Sequence, residues 1–371
     1  MQRIPARAGD LLAAIETPAL VVDLDVFEHN LDLMADVVRG SGLALRPHAK
    51  SHKCPDIAKA QIARGAIGIC CQKVDEAAAF VAAGVTNVLV TNEIVAPSKM
   101  QRLAELARTA TVGVLIDNAA VLADLSAAAM TADSTLDVYV EIDVGAHRCG
   151  VPSGNAVVAL AKAVGALPGL AFRGIHAYQG GAQHLRTPDE RILAIAKASA
   201  LALKSKLLLE RAGIACPVIT GAGTGTWQLE RDSAIYTELQ PGSYIFMDAD
   251  YHRNALAADQ HPFEQSLFVL ASVMSTPAPD RAIIDAGLKA LAFDSGLPLV
   301  HAARGLDYIK ASDEHGVLQV DPELVVPQLG ERVWLIPGHC DPTVNLYDWI
   351  VGVRGDRVEC VWPVAARGAL G

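Results

Sequence analysis

Short apolar runs rich in β-formers alternate with Ala/Leu-rich helical segments through roughly the first 245 residues, and no feature constrains the fold more. The runs fall at 19–25, 44–48, 66–71, 87–91, 111–117, 136–143, 170–177 and 217–220, with helical patterns such as 99–108, 155–167 and 189–212 between them. Strand, helix and strand in repetition give parallel pairing, with the helices as crossovers. Eight such units fit an α/β architecture, a closed (β/α)8 TIM-like barrel, which takes about 250 residues. A doubly wound open sheet is the second arrangement that this periodicity allows. After about residue 245 the character changes. Runs at 263–274, 281–285, 332–336, 349–354 and 357–362 read as strands joined by turns, which predicts a second, mainly antiparallel β domain. The expected division is 18–248 for the barrel and 249–371 for the β domain, with 1–17 packed against it.

The C-terminal ends of barrel strands converge on one face, where chemistry is placed. Polar residues collect at these ends: His48 and Lys50, Gln72 and Lys73, Asn92 and Glu93, Asp143 leading to Arg148, His176 and Tyr178, and the 220–226 loop Thr-Gly-Ala-Gly-Thr-Gly-Thr. Lys50 has His48, His52 and Lys53 as sequence neighbours. A lysine crowded by cations or desolvated has a depressed pKa and attacks carbonyls. Taken alone, the same stretch is a basic loop that faces solvent or an anion. The glycine loop offers unobstructed backbone N–H groups and two hydroxyls, as a phosphate requires, and Gly242-Ser243-Tyr244 adds donors from the next loop. Lysine and phosphate cradle at one barrel mouth point to pyridoxal phosphate, an aldehyde anchored through its phosphate. Sugar-phosphate barrels with a Schiff-base lysine are the competing class.

A second cluster, Pro337-Gly-His339-Cys340-Asp341-Pro342, lies in the later segment. His and Asp at i and i+2 of an extended segment point the same way, so His339 and Asp341 could ligate one ion and leave positions open, as a catalytic metal needs. A polar turn before Pro342 is the plainer alternative. Cys340 then points away and packs, and Cys70 and Cys71 read as strand core. The seven cysteines are scattered, with no Cys-x-x-Cys pair, so neither disulfides nor a structural zinc cluster is expected. A net charge of −10 without a Lys/Arg run argues against a nucleic-acid partner. Apolar runs stop short of membrane-spanning length and the N-terminus has no signal-peptide core, which leaves a reduced cytoplasmic enzyme as the expectation.

These motifs together resemble the D-threonine aldolase and D-serine dehydratase family, of the alanine-racemase-like pyridoxal-phosphate fold type. The resemblance runs from Thr17-Pro18 to Gly368. It rests on Arg46-Pro-His-Ala-Lys50, Cys70-Cys-Gln-Lys73, Glu141-Ile-Asp-Val-Gly145, Arg148-Cys-Gly150, Tyr178-Gln-Gly180, Gly223-Thr-Gly225, Glu238-Leu-Gln240, Gly242-Ser-Tyr244, Met247-Asp248, Asp285-Ala-Gly-Leu-Lys289, Asp313-Glu-His-Gly316 and His339-Cys-Asp341. It implies a barrel plus a β domain, a homodimer, and a divalent metal beside the cofactor. By position Lys50 resembles the Schiff-base lysine, Gln72, Arg148 and Tyr178 the residues lining the cofactor ring, and Thr224, Gly225, Gly242, Ser243 and Tyr244 the phosphate contacts. His339 and Asp341 resemble the metal pair, suited to Mn, Mg, Co or Zn. The glycine loop reads Gly-Ala-Gly where the family often has three glycines, a small change if Ala222 keeps a negative φ.

The implied activity is cleavage of a β-hydroxy-D-amino acid to glycine and an aldehyde, with His52 or metal-bound hydroxide as the base. Elimination by a dehydratase is the rival outcome, where His-x-Cys is the usual metal motif. D-Threonine-type substrates and 3-hydroxy-D-aspartate both fit. The second needs a cation for its distal carboxylate, for which His184, His252 and Arg253 are the candidates.

Overall fold

Side chains of strand Asn87–Glu93 alternate: Val88 and Val90 join the apolar layer under the helices, and Leu89 turns the other way. The same period of two gathers Cys70, Leu89, Leu115 and Tyr139, from four successive strands, into one interior layer. The outer layer packs against Phe80, Leu103, Leu125, Leu160 and Ala198, each on a different helix. The computed structural model describes residues 3–257, 263–302, 305–323 and 325–371.

Eight parallel strands follow the order Ala44–Leu45, Glu238–Leu239, Val218–Gly221, Leu170–His176, Leu136–Asp143, Thr111–Ile116, Asn87–Glu93 and Ile69–Cys71. A parallel bridge between His48 and Cys70 joins the two ends, and Cys70 N donates to Pro47 O at 2.8 Å. The barrel is closed, as its rhythm predicts, which removes the open-sheet alternative. Val151–Pro152 pairs with Leu136–Asp143 at the barrel's edge, and the remaining strands form a second sheet. Its main path runs Leu306–Ala311, Gly316–Val320, Arg281–Ile284, Leu267–Ala278, Ala19–Asp23, Trp349–Arg354 and Arg357–Pro363. All neighbours on that path are antiparallel except Ala19–Asp23 with Trp349–Arg354.

The run expected as the first barrel strand is therefore displaced. Ala19–Asp23 belongs to the second sheet, and Glu238–Leu239 supplies the eighth barrel strand. Ala19 and Val21 are buried on one face and Leu20 and Val22 on the other. A continuous apolar run reports burial on both faces and not which sheet provides it. Glu238–Leu239 escapes sequence reading because it has two residues, one of them charged. The N-terminal segment packs on the second sheet, where Gly9 N donates to Val358 O at 2.8 Å.

Helix Leu24–Val38 puts Leu24, Phe27, Leu31 and Met34 into the core shared by both sheets, beside Ile245, Phe246, Leu267 and Val269. Beyond the last barrel strand, Ala249 N and Asp250 N donate to Pro337 O and Gly338 O at 3.0 and 3.2 Å. Those bonds bring the second domain's His-Cys-Asp segment to the barrel mouth.

Candidate active site

A cavity of about 390 Å³ opens at the C-terminal ends of the barrel strands. Lys50 enters it from a one-turn 3₁₀ helix, Ala49–Ser51, that follows strand Ala44–Leu45. That turn separates Lys50 from its sequence neighbours. Lys53 points inward to Glu76 at 2.8 Å, and His52 is fully buried with its ring edge-on to Phe80. The expectation of a lysine crowded by cations is corrected: Nζ lies 2.8 Å from Asp341 Oδ2. Asp341 raises the Lys50 pKa, against burial. Burial opposes ionisation of Asp341, and the charges of Lys50 and His339 overcome it and hold the carboxyl below its usual range.

Gln72, Arg148, Tyr178, Thr224, Gly242 and Ser243 line the same cavity, so most of the expected site converges. The Arg148 guanidinium lies 5.9 Å from the centre of the Tyr178 ring. Gln72 Nε2 donates to Thr91 O at 3.1 Å, and Thr91 Oγ1 pairs with His48 Nε2 at 2.8 Å. Burial and the Lys50 charge push His48 down, so it is a neutral ring.

Three expected residues face elsewhere. The Tyr244 phenol is buried in the core and accepts from Gln61 Nε2 at 3.1 Å, which leaves only its backbone near the loop. Gly225 commits its N–H to Gln183 Oε1 at 2.9 Å. His52 does not line the cavity either; its Nδ1 accepts from Cys54 N at 3.1 Å, and burial pushes its pKa down to about 3.

The glycine loop and the Gly242 loop follow the seventh and eighth barrel strands, where barrels commonly hold phosphate. Thr224 Oγ1 is buried there without a partner among the described residues. A Cβ on Gly242 would stand 2.7 Å from His48 O, so this loop packs directly on the lysine turn. An unsatisfied hydroxyl and bare backbone suit a phosphate. With Lys50 opposite, the residues fit pyridoxal phosphate.

Asp341 is the second residue of the helix Cys340–Val344, and His339 is its extended N-cap, so the pair sits at a helix start and not on one continuous strand. Asp248 fixes that start: its carboxylate accepts from Cys340 N at 2.9 Å and Tyr251 N at 3.0 Å. Cys340 is core, as expected. His339 Nδ1 lies 2.6 Å from Asp294 Oδ2. A histidine held by a carboxylate through one nitrogen offers the other as a metal ligand. Together with a buried carboxylate, this donor set fits a divalent cation.

Sequence reading gave no role to Thr91, Gln240 or Tyr251, which also line the cavity. It weighed His184 only as a cation, whereas His184 Nδ1 meets Asp250 Oδ2 at 2.6 Å. The seven cysteines are free. Among the described residues no helix is long and apolar enough to cross a membrane.

Comparison with known proteins agrees with the architecture. Residues 22–250 match the family model "Alanine racemase, N-terminal domain", and residues 266–353 match "Putative serine dehydratase domain". The chain is 49% identical to a D-threonine aldolase of Arthrobacter sp. over 98% of its own length and 96% of that protein. It is 48% identical to a 3-hydroxy-D-aspartate aldolase of Paracoccus denitrificans (strain Pd 1222), over 98% and 95% of the two chains. The crystal structure of D-threonine aldolase from Filomicrobium marinum superposes with a TM-score of 0.97 at 47% identity, covering 99% of this chain and all of that one. A barrel of alanine-racemase type, an antiparallel second domain and these full-length likenesses lead to one assignment: the chain belongs to the D-threonine aldolase family of alanine-racemase-like proteins.

Proposed function

We propose that this protein is a lyase that cleaves β-hydroxy-D-amino acids to glycine and an aldehyde, with pyridoxal phosphate on Lys50 and a divalent metal on His339 and Asp341. The observation that carries this reading is the 2.8 Å contact of Lys50 Nζ with Asp341 Oδ2 at the barrel mouth. It joins a carbonyl-capturing amine to a metal-ligating carboxylate in one site. When bound, the cofactor supplies an electron sink for Cα–Cβ cleavage, and the metal acts as a Lewis acid that lowers the pKa of a β-hydroxyl.

The chain's own residues supply position and proton handling. Thr224, Gly223, Gly242 and Ser243 would hold the phosphate; Gln72, Arg148 and Tyr178 would line the ring. Burial raises the Tyr178 pKa, so its phenol is a hydrogen-bonding partner and not an acid. Lys50 Nζ is released to attack a carbonyl only after it gives up its proton, which the Asp341 charge opposes. With a cation held by His339 and Asp341, the Asp341 charge would oppose that loss less, which would couple the two sites electrostatically. His184 is a cavity imidazole whose Nδ1 is hydrogen-bonded to a carboxylate, which suits Nε2 to take a proton from substrate. His52, buried beneath the lysine turn, is set aside as the base.

The His339-Cys-Asp341 sequence favours aldol cleavage over elimination. The reading extends to a homodimer in a reduced, cytoplasmic setting and to Mn, Mg, Co or Zn as the metal. The test is product analysis with D-threonine and 3-hydroxy-D-aspartate. Glycine with acetaldehyde or glyoxylate supports the aldolase; ammonia with a keto acid overturns it. Lys50→Ala is expected to lose both the visible cofactor absorbance and turnover. A lysine adduct still trapped by borohydride in that variant would remove Lys50 from its role.

A further inference from the structure

Glu93 ends strand Asn87–Glu93 and Glu141 lies in strand Leu136–Asp143, with one strand between them in the barrel wall. Their carboxyls face each other within hydrogen-bonding reach. Glu93 Oε1 and Glu141 Oε2 are nevertheless buried, and no donor reaches either among the described residues. Two ionised carboxylates in this position would repel each other with both oxygens unsatisfied. A single shared proton resolves both problems.

The neighbours decide which residue carries it. Glu141 Oε1 lies 3.6 Å from Arg148 Nη2 and 3.7 Å from His176 Nδ1, and both of those residues line the cavity. Glu93 faces Glu141, Asp117 and Cys149. Asp117 accepts from Gly150 N at 3.1 Å, and none of the three is a cation. The Arg148 charge therefore favours ionisation of Glu141, while burial and the opposing carboxylates disfavour ionisation of Glu93.

We infer that Glu93 is a positioning residue that keeps its proton and donates it to Glu141 Oε2, which leaves the Glu141 carboxylate to hold Arg148, beside His176, at the cavity wall. Burial, then the Glu141 carboxylate, pushes the Glu93 carboxyl up to about 8. Below that pH the proton is in place. Above it, two like charges meet and Glu141 is driven away from Arg148. The catalytic consequence rests on the aldolase reading; the proton itself does not.

The experiment is an infrared pH titration of the holoenzyme, paired with kinetics of glycine formation, for wild type, Glu93→Gln and Glu93→Ala. Wild type should show protonated-carboxyl absorption that falls as pH rises from about 7 to about 9, in part from the buried Glu230, and Glu93→Gln should lose the share that Glu230→Gln does not remove. Glu93→Ala should lose about tenfold or more in kcat/KM, from misplacement of Arg148. Glu93→Gln keeps the donor and should restore most of that loss, without the alkaline fall that wild type shows. A titrating band of full wild-type amplitude in Glu93→Gln overturns the assignment, as does an alkaline limb unchanged in that variant. So would a thiolate–metal absorption on adding Cd²⁺ to metal-stripped enzyme that Cys149→Ser abolishes, because the cluster would then take a cation in place of the proton. The infrared band needs no turnover. If no substrate is cleaved yet the band behaves as stated, the aldolase reading fails and the shared proton stands.

Discussion

Ala222 sits in the left-handed region at φ 72°, within the loop after the seventh barrel strand. The methyl group that looked harmless beside Gly221 and Gly223 is thus held in a conformation that costs a non-glycine residue about 1 kcal/mol. Its side chain is buried, so apolar contact offsets part of that cost. A β-branched residue has no such compensation. Ala222→Val is expected to destabilise by about 2 kcal/mol or more and to weaken phosphate anchoring, read by thermal unfolding and by the free-cofactor concentration needed for saturation. Lys50 carries a second lesson. Arg46 to Pro55 reads as a basic cluster, yet the 3₁₀ turn sends Lys50 to the cavity, His52 into apolar packing and Lys53 to Glu76. Residue type was legible in this stretch; direction was not, because one helical turn rotates adjacent side chains to different neighbours.

Among the elements, the short helices Ala249–His252 and Cys340–Val344 do most to set the site. Neither is long enough to be stable alone. Each start is held by Asp248, which accepts from Tyr251 N and Cys340 N. Its carboxyl pKa is raised by burial, which the two backbone donors counter. In Asp248→Asn one donor faces the side-chain NH₂, which leaves a buried N–H unpaired at a cost of about 1–3 kcal/mol. The expected outcome is a lower denaturant midpoint together with weaker metal binding, while cofactor absorbance persists. An unchanged metal affinity would show that the His339–Asp341 geometry does not depend on this cap. The His-x-Asp spacing was readable as a metal pair, but its placement on a helix start required the Asp248 contacts, which span 92 residues of sequence.

At the scale of the molecule, burial leaves a pH signature. Glu230 is completely buried; it accepts from Thr226 Oγ1 at 2.8 Å, while its Oε2 has no partner among the described residues. Burial pushes its carboxyl up to about 8. The folded state therefore holds a proton that the unfolded chain releases near pH 4. Between those values the folded form binds more protons, so this group's contribution is fully present below about pH 4 and is lost as pH rises through about 8. Melting temperature should fall from about pH 5 to about pH 9 more steeply in wild type than in Glu230→Gln, which keeps the shape and cannot ionise. Parallel slopes in the two proteins would place the ionisation elsewhere.

The sequence by itself determined a parallel α/β architecture, because strand and helix periods alternate along the chain and only parallel pairing accommodates that order; the bridge between His48 and Cys70 closed it into a barrel. It also determined the chemical inventory: a lysine, a glycine loop and a His-Cys-Asp segment at the ends of predicted strands. Tertiary structure alone decided where strand Ala19–Asp23 pairs, that Lys50 meets Asp341 and not other cations, and that Glu93 meets Glu141. Each of these is a contact between residues far apart in the chain. Local periodicity reports how much of a residue is buried, whereas charge pairing depends on which distant group shares that burial. The lysine that reads as a basic loop residue is tied instead to a carboxylate from the other domain, 2.8 Å away.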